Sequence, residues 1–234
     1  MSEIIIERRF QGPSQSANGG YFAGLLAELI DGPAEITLRA PPPLETPLEL
    51  AKTADGYEVL HEGNAVGSVR PGSFSVEVPA KPSDAEIEAA LPNYPGAKNS
   101  PIPHCFVCGV KNAPGEGLRV FASPIEGRDL VAAKWDAHPN MAGDDGFILE
   151  RHVFAALDCP GAYAWFGQTS GSMLLGRIAG EVTGKVKAGD RCTVLAWREG
   201  IDGRKAYAGS AVLDADERVV ASAFATWITV PSVS

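Results

Sequence analysis

Two apolar helical segments, each followed by a run of short turn-bounded strands, constrain this chain more than any other feature. The first segment, about residues 19–31, contains Tyr21, Phe22, Leu25, Leu26 and Leu29; the second, Phe147 to Phe166, has Leu149, Val153, Ala156 and Leu157 at a helical period. After the first come strands expected at Ala34–Ala40, Leu48–Lys52, Tyr57–His61, Ala65–Val69 and Ser73–Val78. After the second come Leu174–Val182, Arg191–Glu199, Lys205–Leu213 and Val219–Val230, separated by hairpin-type turns such as Ile201-Asp202-Gly203. Glu3–Arg9 opens the first half as a strand, and Gly117–Ser123 and Asp129–Trp135 open the second. Gly 26 and Pro 18 in 234 residues keep the turns frequent and exclude an all-helical chain.

The plan therefore repeats: opening strand, one apolar helix, antiparallel strands. One helix per sheet implies an α+β arrangement in which a sheet wraps around its helix. Two such halves can pair their sheets within one chain as a homodimer would. Residues 1–79 form the first half and 104–234 the second. Between them, residues 80–103 are rich in proline and read as a linker, with a short helix opened by the capping-box pattern Ser83-Asp84-Ala85-Glu86. Pro160-Gly161 should end or kink the second helix near Cys159.

Composition excludes several classes. A net charge of −9 opposes a general nucleic-acid binder. No apolar run of about 18 residues suggests a membrane span, and Met1–Phe10 lacks the apolar core of a signal peptide. Four cysteines are too few for a disulfide scaffold, so a cytoplasmic location is expected. Cys105-Phe106-Val107-Cys108 supplies only two metal ligands where a structural zinc site needs four. With His104 adjacent and Cys159 and Cys192 remote in sequence, a structural turn is expected there. No metal and no cofactor are expected.

The start of the first helix is the candidate ligand site. Ser14, Ser16 and Asn18 are N-cap residue types, and Asn18-Gly19-Gly20 leads straight into the helix. Such a start offers unpaired N–H groups and a partial positive charge, and glycines let a ligand oxygen approach the backbone closely. An ordinary well-capped core helix would look the same.

Three stretches resemble the hotdog fold in its tandem, thioesterase-like form. Asn18-Gly19-Gly20 is similar to that family's His-Gly-Gly turn, with Asn for His. His104-Cys105-Phe106-Val107-Cys108-Gly109, with Asn112 and Gly117-Leu118-Arg119-Val120, resembles the Cys-Phe-x-Cys-Gly…Gly-Leu segment that opens many hotdog domains. Ala156-Leu157-Asp158-Cys159-Pro160-Gly161 resembles the family's mid-helix Leu-Ala-Asp segment. The resemblance implies an acyl-thioester hydrolase, acyl-CoA being the expected partner, with one composite site. Asn18, Gly19 and Gly20 would come from the first half and Asp158, as general base or nucleophile, from the second.

The reciprocal site is expected to be degraded, because Ala27 falls where Asp158 would be and Leu149-Glu150-Arg151 where the glycine turn would be. Glu28, its side chain about 100° away from that of Ala27, ranks second as a carboxylate. Gln15, Ser14 and Ser16 are candidate lining residues, and Tyr21, Phe22, Tyr163 and Trp165 candidate pocket walls. Arg177, Lys185, Lys187, Arg191 and Arg198 are candidate phosphate partners, and His152 reads as a surface or capping residue. A non-catalytic acyl-binding module fits the same residues. A hydratase fits less, since Asp136-Ala137-His138-Pro139-Asn140 has that signature's residue types in the wrong order. Whether two such chains pair further stays open.

Overall fold

The computed structural model describes residues 2–98 and 100–231. Eleven strands form one antiparallel sheet: β1 (Ser2–Ile4), β2 (Ala34–Leu38), β3 (Leu48–Lys52), β4 (Tyr57–His61), β5 (Asn64–Pro71), β6 (Ser123–Pro124), β7 (Leu130–Asp136), β8 (Ser172–Val182), β9 (Arg191–Asp202), β10 (Lys205–Leu213) and β11 (Val219–Val230). Their order is β1-β3-β4-β5-β2-β8-β11-β10-β9-β7-β6. Read outward from the centre, the first half runs 2-5-4-3-1 and the second 8-11-10-9-7-6, so one order mirrors the other. The halves meet where β2 pairs with β8, in register from Ala34↔Gly180 to Thr37↔Arg177. Ile36 and Ile178 face each other across this seam, and both are fully buried.

Helices α1 (Gly19–Ala27), α3 (Glu150–Ala155) and α4 (Cys159–Ala164) lie on the inner face of the sheet. Asn18 caps α1: its Oδ1 accepts the Tyr21 N–H at 2.8 Å. α1 ends four residues earlier than its apolar run suggests. The Leu29 and Ile30 amides bond three residues back, and Gly32 turns the chain with φ +80. The second helix breaks before Pro160, and Asp158 sits between its two pieces with φ −76 and ψ −86.

The two helices cross closely at Gly20 and Gly24. A Cβ on Gly24 would lie 2.5 Å from the Arg151 carbonyl oxygen, and one on Gly20 2.3 Å from the Asp158 Cβ. Glycine one helical turn apart thus lets the two backbones meet. Phe22, Leu26, Phe154 and Leu157 fill the space around the crossing and are essentially inaccessible.

Three expected strands differ from the sequence reading. β1 stops at Ile4, and Arg8–Phe10 forms a 3-10 turn that stacks Phe10 on Tyr21 with ring centroids 3.7 Å apart. Residues 73–78 keep their alternating exposure but join no ladder; Val76 and Val78 instead rest on an outer apolar cluster that includes Leu130, Leu195 and Trp197. Residues 117–122 bond to the cysteine loop, Leu118 to the Phe106 carbonyl at 2.7 Å and Val120 to that of Val107 at 2.9 Å, before the short β6. Helix α2 (Asp84–Ala90) carries the capping box between Ser83 and Glu86, and its Ile87 and Ala90 cover the same outer cluster. The proline-rich segment is therefore partly a packed element. Among the described residues, no helix is long and apolar enough to cross a membrane.

His152 is neither a surface nor a capping residue. It is 4% exposed within an aromatic group of Phe10, Tyr21 and Phe106, and its Nδ1 lies 2.9 Å from the Met141 carbonyl oxygen. Burial holds its pKa down at about 4, against the raising effect of the Met141 contact. As pH falls below the ordinary value near 6.5, the unfolded chain takes up a proton that the folded chain refuses until about pH 4. Stability should therefore decline across that window by a further roughly 3 kcal/mol relative to His152→Gln. Urea unfolding of both proteins at pH 7 and pH 4.5 checks this; equal losses would refute it.

Candidate active site

The N-terminus of α1 and the break between α3 and α4 come together. Asp158 Oδ2 accepts the Gly20 backbone N–H at 2.9 Å and the Asn18 Nδ2–H at 2.9 Å. Asp158 does not cap its own helix; its carboxylate turns across to α1. It is 3% exposed, and its Oδ1 is buried with no hydrogen-bond partner. Burial pushes its pKa up to about 7, opposed by the Gly20 N–H and the Asn18 amide. A carboxyl so placed exchanges a proton near neutrality, the property a general base needs.

No family model and no curated protein matches the sequence. Solved structures do match. A protein from Alicyclobacillus acidocaldarius described as having the hot dog fold aligns over 99% of this chain and 93% of its own, with TM-score 0.61 and 10% identity. A candidate thioesterase from Novosphingobium aromaticivorans aligns over 97% and 94%, with TM-score 0.63 and 14% identity. The tesB protein of Mycobacterium avium subsp. paratuberculosis aligns over 94% and 91%, with TM-score 0.60 and 13% identity. The fold is a double hotdog. At these identities the likeness speaks to fold alone.

The double hotdog places a second crossing opposite the first, where the end of α1 meets the start of α3. Glu28 Oε1 there accepts the Arg151 backbone N–H at 3.3 Å and lies 3.4 Å from Arg151 Nε. This mirrors the Asp158–Gly20 contact. Glu28, rather than Ala27, thus occupies the carboxylate's place, because it is the helix C-cap and its side chain reaches across. A cleft of about 520 Å³ opens here, lined by Gly24, Ala27, Glu28, Leu149 and Lys185 among others. Burial raises the Glu28 pKa despite Arg151. Leu149 gives α3 no side-chain cap and Glu150-Arg151 replace the glycines, so this crossing keeps a carboxylate without the glycine turn.

Other candidate site residues lie elsewhere. Tyr21 is not a pocket wall; it is stacked on Phe10 in the core and 5% exposed. Arg177 does not reach the helices. It alternates with the inward Ile178 and pairs on the outer face with Glu35, Nη1 to Oε2 3.7 Å, beside Arg70. Gln15 is exposed in the turn before Ser16, with φ +65. Gly19 faces the side chains of Leu175 and Leu38. Lys185 pairs with Asp145 at the rim of the second crossing's cleft, while Arg191 pairs with Glu88 and Asp136 and Arg198 with Asp129. Tyr163 bonds to Tyr94, and Trp165 Nε1 donates to the Tyr207 carbonyl.

The sequence reading missed the sulfur around Asp158. Cys105 and Cys159, far apart in the chain, have their Sγ atoms 3.7 Å apart, and Asn18 Nδ2 lies 3.6 Å from the first and 3.8 Å from the second. The usable signal was Cys-x-x-Cys-Gly together with a third cysteine next to the helical aspartate.

Proposed function

We propose that the chain hydrolyses an acyl thioester at the Asn18–Gly20–Asp158 crossing. The observation that carries this reading is the 2.9 Å contact between the Gly20 N–H and a buried carboxylate from the other half. A thioester carbonyl oxygen would replace Asp158 Oδ2 as acceptor of the Gly20 N–H, at the positive end of α1. Asp158, released from that bond, would take a proton from water as the water oxygen adds to the carbonyl carbon. The carbon–sulfur bond then breaks and the leaving thiolate recovers a proton. Acyl-CoA is the substrate class proposed, by likeness of the fold to proteins described as thioesterases.

Thiol release from short, long and aromatic acyl-CoAs tests this. Turnover of at least one class, lost in Asp158→Asn and kept in Glu28→Gln, is expected. A second reading, an acyl-ligand-binding protein without catalysis, is favoured by the cleft opening at Glu28 while Asp158 is nearly inaccessible. Acyl-CoA binding without thiol release, abolished by changes at Glu28, would select that reading instead.

A further inference from the structure

Three buried thiols meet beside the candidate site. The Sγ atoms of Cys105, Cys108 and Cys159 all lie within 4.8 Å of one another, and the three residues are 1%, 3% and 8% exposed. A tetrahedral zinc ion with Zn–S bonds of about 2.3 Å sets its sulfurs roughly 3.8 Å apart. The 3.7 Å between Cys105 and Cys159 meets that spacing.

Hydrogen-bond donors surround the sulfurs. The Asn18 amide faces Cys105 and Cys159, and the Tyr163 hydroxyl donates to Cys108 Sγ at 3.5 Å. Such donors orient and stabilise ligating sulfur. The loop is fixed from outside its own turn: Asn112 Nδ2 donates to the Cys105 carbonyl at 2.8 Å, and Gly109 N–H closes on the same oxygen at 2.8 Å.

A second observation points the same way. Asp158 borders the group, its Oδ2 4.0 Å from Cys159 Sγ, and its Oδ1 is a buried acceptor with no donor. Three sulfurs and a carboxylate thus share one buried region. Sulfur ligands grouped in this way select a thiophilic cation over a hard one.

We propose that Cys105, Cys108 and Cys159 bind a zinc ion, tying the cysteine loop of the second half to the break between α3 and α4. Each Zn–S bond replaces an S–H bond, and the proton passes to the buffer. Asp158 Oδ2, 4.0 Å from Cys159 Sγ, and the Tyr163 hydroxyl, 3.5 Å from Cys108 Sγ, are oxygens beside the group. The ion would brace the backbone that aims Asp158 at α1, a positioning role that stands whether or not the chain hydrolyses thioesters.

The test uses the full chain, stripped of metal by a chelator under reducing conditions and then given Zn2+ alone. About one zinc per chain should be retained after gel filtration. Cys192→Ala, whose sulfur is remote in β9, should retain it as well; Cys105→Ser and Cys159→Ser should lose it. Zn2+ should raise the melting temperature, and Mg2+ should leave it unchanged. Should the serine variants fail to fold, Co2+ in the wild-type chain decides. A thiolate-to-cobalt charge-transfer band is expected, and its absence would overturn the proposal. So would zinc retention in folded Cys105→Ser, or a reduced wild-type chain that takes up no zinc.

Discussion

Asp158→Asn is expected to lower acyl-CoA hydrolysis by about 10²–10⁴-fold, the usual contribution of a positioned proton acceptor, without lowering the unfolding midpoint. The amide keeps the carboxylate's shape and still offers one oxygen to the Gly20 and Asn18 donors that now bond Oδ2. It also removes the cost of holding a carboxylate where burial disfavours its charge. Activity and stability should therefore move independently, the pattern of a group kept for chemistry at the expense of the fold. Thiol-release kinetics and thermal unfolding on the same samples check this. A parallel loss of both would mark Asp158 as structural, and unchanged turnover would remove it from the reaction.

The adjacent glycines should respond in opposite ways. A methyl group on Gly20 meets the Asp158 Cβ at 2.3 Å and the Ala155 carbonyl oxygen at 2.9 Å, neither of which can yield without moving α3. Gly20→Ala should cost about 1–3 kcal/mol, the range for overpacking a tight contact. It should also cost roughly 10²-fold in hydrolysis, because the two halves of the site are pushed apart. On Gly19 the same methyl group meets only the side chains of Leu175 and Leu38, at 3.2–3.4 Å. Those can shift, and alanine at the first helical position reduces the freedom of the unfolded chain. Gly19→Ala should therefore fold normally and stay active. Urea midpoints and initial rates of both variants test the contrast; equal behaviour would contradict the crossing geometry.

How much of this could be read in the sequence follows from the range of the interactions. β3, β4, β10 and β11 fall where their alternation and turn residues place them, because both signals are local. The mirrored halves were visible as a repeated order of elements, and the break at Asp158 followed from Pro160. Residues 73–78 show the limit of alternation: it reports which side chains face a surface, and a neighbouring strand must still be there to complete a ladder. Ile5 and Ile6 suggested a longer first strand, yet Phe10 must turn inward to stack on Tyr21, and the backbone follows it.

The candidate site was legible where two motifs had to meet, Asn18-Gly19-Gly20 and Asp158. It was not legible where the decisive contact depends on the reach of one side chain. Ala27 matches Asp158 by counting along the helix, but Glu28 bonds Arg151 because α1 ends there and its last side chain is free to bend across. The approach of Cys159 to Cys105 likewise needs the opening loop folded under the second helix, which no local pattern encodes.

The seam between β2 and β8 has a genetic consequence. In an assembly of two identical subunits, every codon change is expressed twice and alters both symmetry-related places at once. Here the halves that meet at Ile36 and Ile178 are encoded separately, so each place can be edited alone. One crossing can keep a sealed aspartate while its counterpart carries a glutamate beside an open cleft, and a laboratory can redesign either without disturbing the other.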